Sequence, residues 1–152
     1  MTTRAFTVTV PGKPATGSFR FTKTGHRYTP QNVEDWKACV RLAIMEAMQE
    51  KIPEGCPVEL SITVYKPKPA TYPKKPTAKK PCPWAWVSKP DCDNVTKPTK
   101  DALKKLAFAD DAQVTDLHVR KRWGPEELVE ITVRPLEEWE LVGGRNEQED
   151  AA

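Results

Sequence analysis

Histidine is almost missing from this chain of 152 residues, which has only His26 and His118. Its four cysteines, Cys39, Cys56, Cys82 and Cys92, stand far apart and form no C-x-x-C pair. A tetrahedral structural zinc site needs clustered cysteine and histidine ligands, so the spacing argues against one. Four reduced thiols in a cytoplasmic protein is the plainer reading. Long apolar runs are lacking too. Hydrophobic residues make up 38%, and no stretch approaches the roughly 20 residues that span a bilayer. Near the start, Thr7-Val8-Thr9-Val10 runs straight into Pro11-Gly12-Lys13-Pro14, which is not the apolar core of a secretory signal. No membrane association is expected.

Proline and charge are plentiful instead, with 15 prolines and 30% charged residues. The net charge of +3 conceals an asymmetry. Residues 66–105 hold 11 lysines against 3 acids, whereas residues 137–152 hold 6 acids and 1 arginine. Segregated lysine of this kind is the electrostatic footprint of a nucleic-acid binder, although a solvated helix and a basic loop would look similar.

Hydrophobic periodicity supplies the elements. Residues 5–10 alternate as a strand, and residues 11–28 read as a loop or irregular hairpin carrying Lys13, Arg20, Lys23 and Arg27. Thr29-Pro30 opens a helix, with Thr29 as N-cap and Pro30 in the first position. Val33, Trp36, Val40, Ala43, Ile44 and Ala47 then mark its apolar face up to about Lys51. Val58, Leu60, Ile62 and Val64 alternate as a half-buried strand. Seven prolines forbid a regular element across residues 66–90, so this stretch is a semi-extended loop. Trp84 and Trp86 within it either pin the loop to the body, the plainer role, or stack on bases. A second helix is predicted to begin between Asp93 and Thr96, because Pro98 belongs in a first turn. Residues 113–123 and 128–134 read as two strands of a hairpin around Gly124-Pro125.

Two acidic pairs, Asp91/Asp93 and Asp110/Asp111, flank that second helix. Crowded carboxylates disfavour one another's ionisation, so they point to a hard divalent cation. Surrounding lysines suggest a polyanionic substrate, and hence metal-assisted chemistry on a phosphodiester. Asp93 alone has a simpler explanation as a helix cap favoured by the dipole. A calcium hand is excluded, since the sixth and twelfth loop positions would be Thr96 and Ala102 instead of Gly and Glu. A haloacid-dehalogenase-type phosphatase shares the D-x-D-x-[TV] string, but Val87-Ser88-Lys89-Pro90 is not the buried strand it requires. No pattern suggests the sheet of a sugar-nucleotide transferase.

The constellation DCDN, Lys97 four residues after Asp93, DDAQV, and Lys121 ten residues after Asp111 resembles the RusA family of Holliday-junction resolvases. The likeness extends more loosely over residues 4–135, through Pro11-Gly12-Lys13-Pro14 and Tyr28-Thr29-Pro30, to RusA-type proteins of phages and prophages. It implies a homodimeric, Mg²⁺-dependent endonuclease, with Mn²⁺ as an alternative ion, that resolves four-way DNA junctions by paired nicks. By matching position, Asp91, Asp93 and Asp111 correspond to the metal-binding acids, with Asp110 a further candidate beside them, and Lys97 to the catalytic lysine. Lys89, Lys100, Lys104, Lys105, Lys121 and Arg20 are the candidate DNA contacts. One departure stands out: Pro90 occupies a position that is basic in the best-known member, and Lys89 lies one residue earlier.

The expected fold is α+β in two layers, a mixed β-sheet with two main helices and a C-terminal β-hairpin. Residues 1–136 would form the domain and residues 137–152 a flexible acidic tail. Two rivals remain, a catalytically silent DNA-binding protein and a metal-dependent phosphatase acting on a small molecule. The first has no use for four acids among its lysines, and the second has none for the basic loop.

Overall fold

The computed structural model describes residues 4–17 and 20–142. Among the described residues, six strands and three helices appear in the order β1 (Phe6–Pro11), β2 (Arg20–Phe21), β3 (Arg27–Tyr28), α1 (Gln31–Ala47), β4 (Val58–Lys66), α2 (Cys92–Leu103), β5 (Val114–Trp123), β6 (Leu128–Pro135) and α3 (Glu138–Leu141). A 3₁₀ turn, Asp111–Gln113, leads into β5. The main sheet is mixed, in the order β1-β6-β4-β5, and β2 pairs with β3 alone. This is the α+β architecture expected, with both long helices contributing to one core.

The hairpin expected from residues 113–134 does not form. β5 pairs parallel to β4, while β6 runs antiparallel to both β4 and β1. Burial explains the choice. Every second residue of β4 and β6 is buried, whereas β5 has none fully buried, so it takes the edge. The long connection from β4 through residues 66–90 and α2 is what permits a parallel return, since parallel strands need a crossover of a dozen residues or more. After β5 the chain turns over the end of β4 at Gly124, whose N–H donates to the Lys66 carbonyl at 3.0 Å. A Cβ there would meet Tyr65 Cδ1 at 2.9 Å, so only glycine fits so close a crossing.

One sheet face supplies Val8, Val10, Leu60, Ile62, Val64, Val129, Ile131 and Val133 to the core. Against it lie Val33, Trp36, Val40 and Ile44 from α1, and Val95, Ala102 and Leu103 from α2. The first helix begins after Pro30, which takes the N-cap position expected for Thr29, and ends at Ala47. The Trp36 indole donates to Thr99 Oγ1 at 3.1 Å in a buried site, tying the two helices together.

Pro98 sits in the interior of α2, not in its first turn. An interior proline costs about 3 kcal/mol, partly because it leaves the carbonyl four residues earlier without a donor. Here that carbonyl, of Asn94, accepts the Gly17 N–H at 3.2 Å. The defect in the helix thus becomes the attachment point of the segment before β2, and the Pro98 ring is buried.

Residues 67–90 contain no helix or strand, as their prolines require. The acidic segment begins with structure, however. Glu138–Leu141 forms one helical turn closed by a capping box between Glu137 and Glu140, and Arg134 donates to Glu140 Oε1 at 2.6 Å. Residues 143–152 of the expected flexible tail lie outside the described residues.

Candidate active site

α2 begins at Cys92, so Asp93 already lies in its first turn and not in an extended run beside Asp91. Asp91 is the N-cap, yet its side chain makes no capping bond. Both carboxylates are exposed at the positive end of the helix dipole. Lys97 follows Asp93 at i+4, the spacing that puts two side chains on one helix face. Asp91 also lines a groove of about 420 Å³ with Lys13, Lys66, Trp86, Lys89 and Asn94.

The second acidic pair is built differently. Asp110 caps the 3₁₀ turn, accepting the Ala112 N–H on Oδ1 at 3.1 Å. Gln113 is buried and fully used: its Oε1 accepts from Ala109 N and Asp110 N, and its Nε2 donates to the carbonyls of Pro53 and Cys56. This side chain clamps the turn to the loop before β4 and so fixes Asp111. The signal for it was the Asp110-x-x-Gln113 spacing of a capping box, within DDAQV. Asp111 Oδ1 is buried with no hydrogen-bond partner, and Oδ2 lies 3.8 Å from Lys104 Nζ.

These pairs sit at opposite ends of the fold. Asp91 shares its groove with Val64, Tyr65 and Lys66, at the C-terminal end of β4. The turn carrying Asp111 directly precedes Val114, which pairs with Val58 at the N-terminal end of that strand. β4 has nine residues, or about 30 Å at roughly 3.3 Å per residue. α2 also stands between the pairs, and its twelve residues at 1.5 Å make about 18 Å. Asp91, Asp93 and Asp111 of one chain therefore cannot grip one ion. Each end presents carboxylate oxygens, and the unpartnered Asp111 Oδ1 is an oxygen of the kind that suits a hard cation.

The candidate DNA contacts divide likewise. Lys89 and Arg20 are exposed, Lys100 is half-buried on α2, and Lys104 is drawn to Asp111. Lys105 terminates the helix at φ 67°, in the left-handed region usually left to glycine. Lys121 donates to the Ser88 carbonyl at 2.6 Å and lies 5.4 Å from the centroid of Trp86. Trp86 itself stacks on Trp123 at 5.7 Å and 16°, and Tyr72 meets Trp123 edge-on at 5.2 Å. Trp86 thus pins the long loop, whereas Trp84 is 69% exposed.

Among the described residues, one group with metal-ligand chemistry gathers its atoms within 4.8 Å, namely Glu59, Asp116 and His118. It gave no sequence signal, because its members come from two strands. Arg134 already holds Glu59 through contacts of 3.2 Å to both oxygens, so this group is built first as an ion-pair network. Hydrogen bonding from Arg134, with the charges of Arg134 and His118, keeps the Glu59 carboxyl below its usual range against a smaller opposing effect of burial.

Fold and surface together define an α+β domain with carboxylates at two helix starts and lysines massed between and beside them. The family of the endodeoxyribonuclease RusA matches over residues 11–134. The chain is also 34% identical over 128 residues to the uncharacterized protein YqaN of Bacillus subtilis (strain 168), covering 82% of this chain and 88% of that one. This protein belongs to the RusA family of endodeoxyribonucleases. No helix among the described residues is long and apolar enough to cross a membrane.

Proposed function

We propose that the protein is a Mg²⁺-dependent resolvase of four-way DNA junctions, acting in recombination and repair as a homodimer that makes paired nicks. Its site is completed between two chains. Asp91 and Asp93 of one copy would hold the ion together with Asp111 of the other, with Asp110 keeping the turn in place. The observation that carries this reading is the separation of the two acidic pairs by the full length of β4, which only a second copy can bridge.

When bound, the divalent ion neutralises charge on the scissile phosphate and activates a water for attack, with Mn²⁺ able to substitute. The chain's own groups do the rest. Lys97 faces the same side as Asp93 and stabilises charge that builds on the phosphate oxygens. Lys89, Lys100 and Arg20 grip backbone phosphates, which fixes register without reading sequence. Lys104 balances Asp111 until a cation arrives; a partly exposed pair this long is worth about 1 kcal/mol, so a divalent ion displaces it readily. Selectivity for a branch then follows from symmetry, because a two-fold dimer presents two equivalent sites to two strands.

Mixing two inactive variants tests the arrangement. Asp93→Asn and Asp111→Asn should each lower nicking of a labelled junction on the order of 10²- to 10³-fold while leaving junction binding intact. Mixed and re-equilibrated, they form hybrid dimers in which one site has all its acids and the other lacks two. Metal-dependent single nicks should reappear. A mixture as inert as its parents would place all three acids in one chain and sink the shared site. Equal nicking of linear duplex by the wild type would sink the junction reading.

A further inference from the structure

Trp84 is the largest unexplained apolar surface of the basic loop. It is 69% exposed, while Trp86, two residues later, is buried in the Trp86–Trp123–Tyr72 stack. A singly exposed apolar residue is ordinary, but this indole stands on an otherwise anchored loop and forms the wall of a groove. Neighbouring residues identify its chemistry. Trp84 lines a groove of about 370 Å³ whose other walls include Trp86, Cys92, Arg120, Lys121 and Arg122, with no carboxylate among them. β5 is the edge strand, so residues from both of its faces reach this rim. An aromatic plane beside a row of cations fits a flat, π-rich group joined to a phosphate.

The groove also stands in a definite place. Trp86 forms a wall of this groove and of the one that holds Asp91. Cys92, which lies between Asp91 and Asp93 in the chain, borders it from α2. A strand whose phosphate reaches the acidic pair therefore has its adjoining nucleotide at Trp84. In continuous duplex that base is stacked and paired, and it cannot turn onto the indole. At the centre of a branch, stacking is already interrupted.

We propose that Trp84, with Arg120 and Arg122, receives a nucleobase unstacked at the branch point and so contributes to the preference for branched DNA. This rests on the reading of the acidic pairs as a junction-cutting site. Stacking a base on the indole is sequence-tolerant, because every base has a π face.

The test places 2-aminopurine at the branch of a four-way junction, within a single-stranded oligonucleotide, and within linear duplex. Titrations use the full chain in Ca²⁺ or EDTA, so that no cutting intervenes. With wild type, 2-aminopurine fluorescence in the junction and the single strand is quenched as the base stacks on Trp84. Trp84→Ala should lose that quenching and bind both about 5- to 100-fold more weakly, while Trp84→Phe retains most of each. The melting temperature of Trp84→Ala should match that of wild type, since the side chain is largely in solvent. Undiminished quenching and affinity in Trp84→Ala would overturn the proposal. If Trp84→Ala loses single-strand quenching but wild type does not prefer the junction over duplex, base stacking stands and the junction reading falls.

Discussion

Arg134 illustrates how much one residue can organise on the open face of this sheet. It bridges Glu59 on β4 and Glu140 on α3, fastening the last helical turn to the strands. Both carboxyls are held below their ordinary value of 4.5, Glu59 chiefly by its hydrogen bonds from Arg134 and Glu140 by the backbone N–H of Glu137 and then by Arg134. Groups with depressed folded values stabilise the fold above their unfolded values, and that contribution is lost as pH falls through the folded ones. Arg134→Gln should therefore melt below wild type at pH 7, and the gap should close as pH drops beneath about 4.5, as followed by thermal unfolding across pH 7 to 3. A gap that persists in acid would mean that packing, not charge, is the source. None of this was legible in the sequence. Glu59, Arg134 and Glu140 are far apart or only locally spaced, and no period links them.

Elements were more legible than their partners. Strong alternation in β4 and β6 and the helical spacing of Val33, Trp36, Val40 and Ile44 identified those segments, because burial on one face leaves a periodic trace. Pairing leaves none, which is why β5 and β6 look like a hairpin and are not neighbours. Pro98 misled for a related reason: the donor that relieves its helix, Gly17, is nowhere near it in sequence. The loop of residues 67–90 was recognisable by its prolines, but its anchor was not. Trp123, at the end of β5, carries both Trp86 and Tyr72. Trp123→Ala should destabilise by about 3 kcal/mol and free the loop. Limited trypsin digestion should then cut after Lys74 or Lys79 well before global unfolding, Lys75 and Lys80 being shielded by the prolines that follow them; a digestion pattern like that of wild type would show the loop to be held elsewhere.

At the scale of the whole molecule, the motif was readable in the sequence and its distribution was not. The two acidic pairs look adjacent as a pattern, eighteen residues apart, yet the fold sends them to opposite ends of β4. Charge segregation carried through only in part: Lys66 and Lys89 line the Asp91 groove, whereas Lys104 lies at the Asp111 end. Lys74 and Lys75 are exposed and extend that basic surface. Replacing both by glutamine should lower the slope of log affinity against log salt for duplex arms by about 2, because each phosphate that a lysine neutralises adds roughly 0.9 to it. An unchanged slope would remove them from the DNA path.

The place of β6 between β1 and β4 has a bearing on how the protein is made. Among the described residues β1 pairs only with β6, so the earliest of these strands in the chain waits for the latest. Until residue 135 has emerged, β1 and β4 each lack the strand that joins them, and α1 and α2 have only part of a sheet to rest upon. A chain released early would have its basic loop and acids present but no platform to hold them in place.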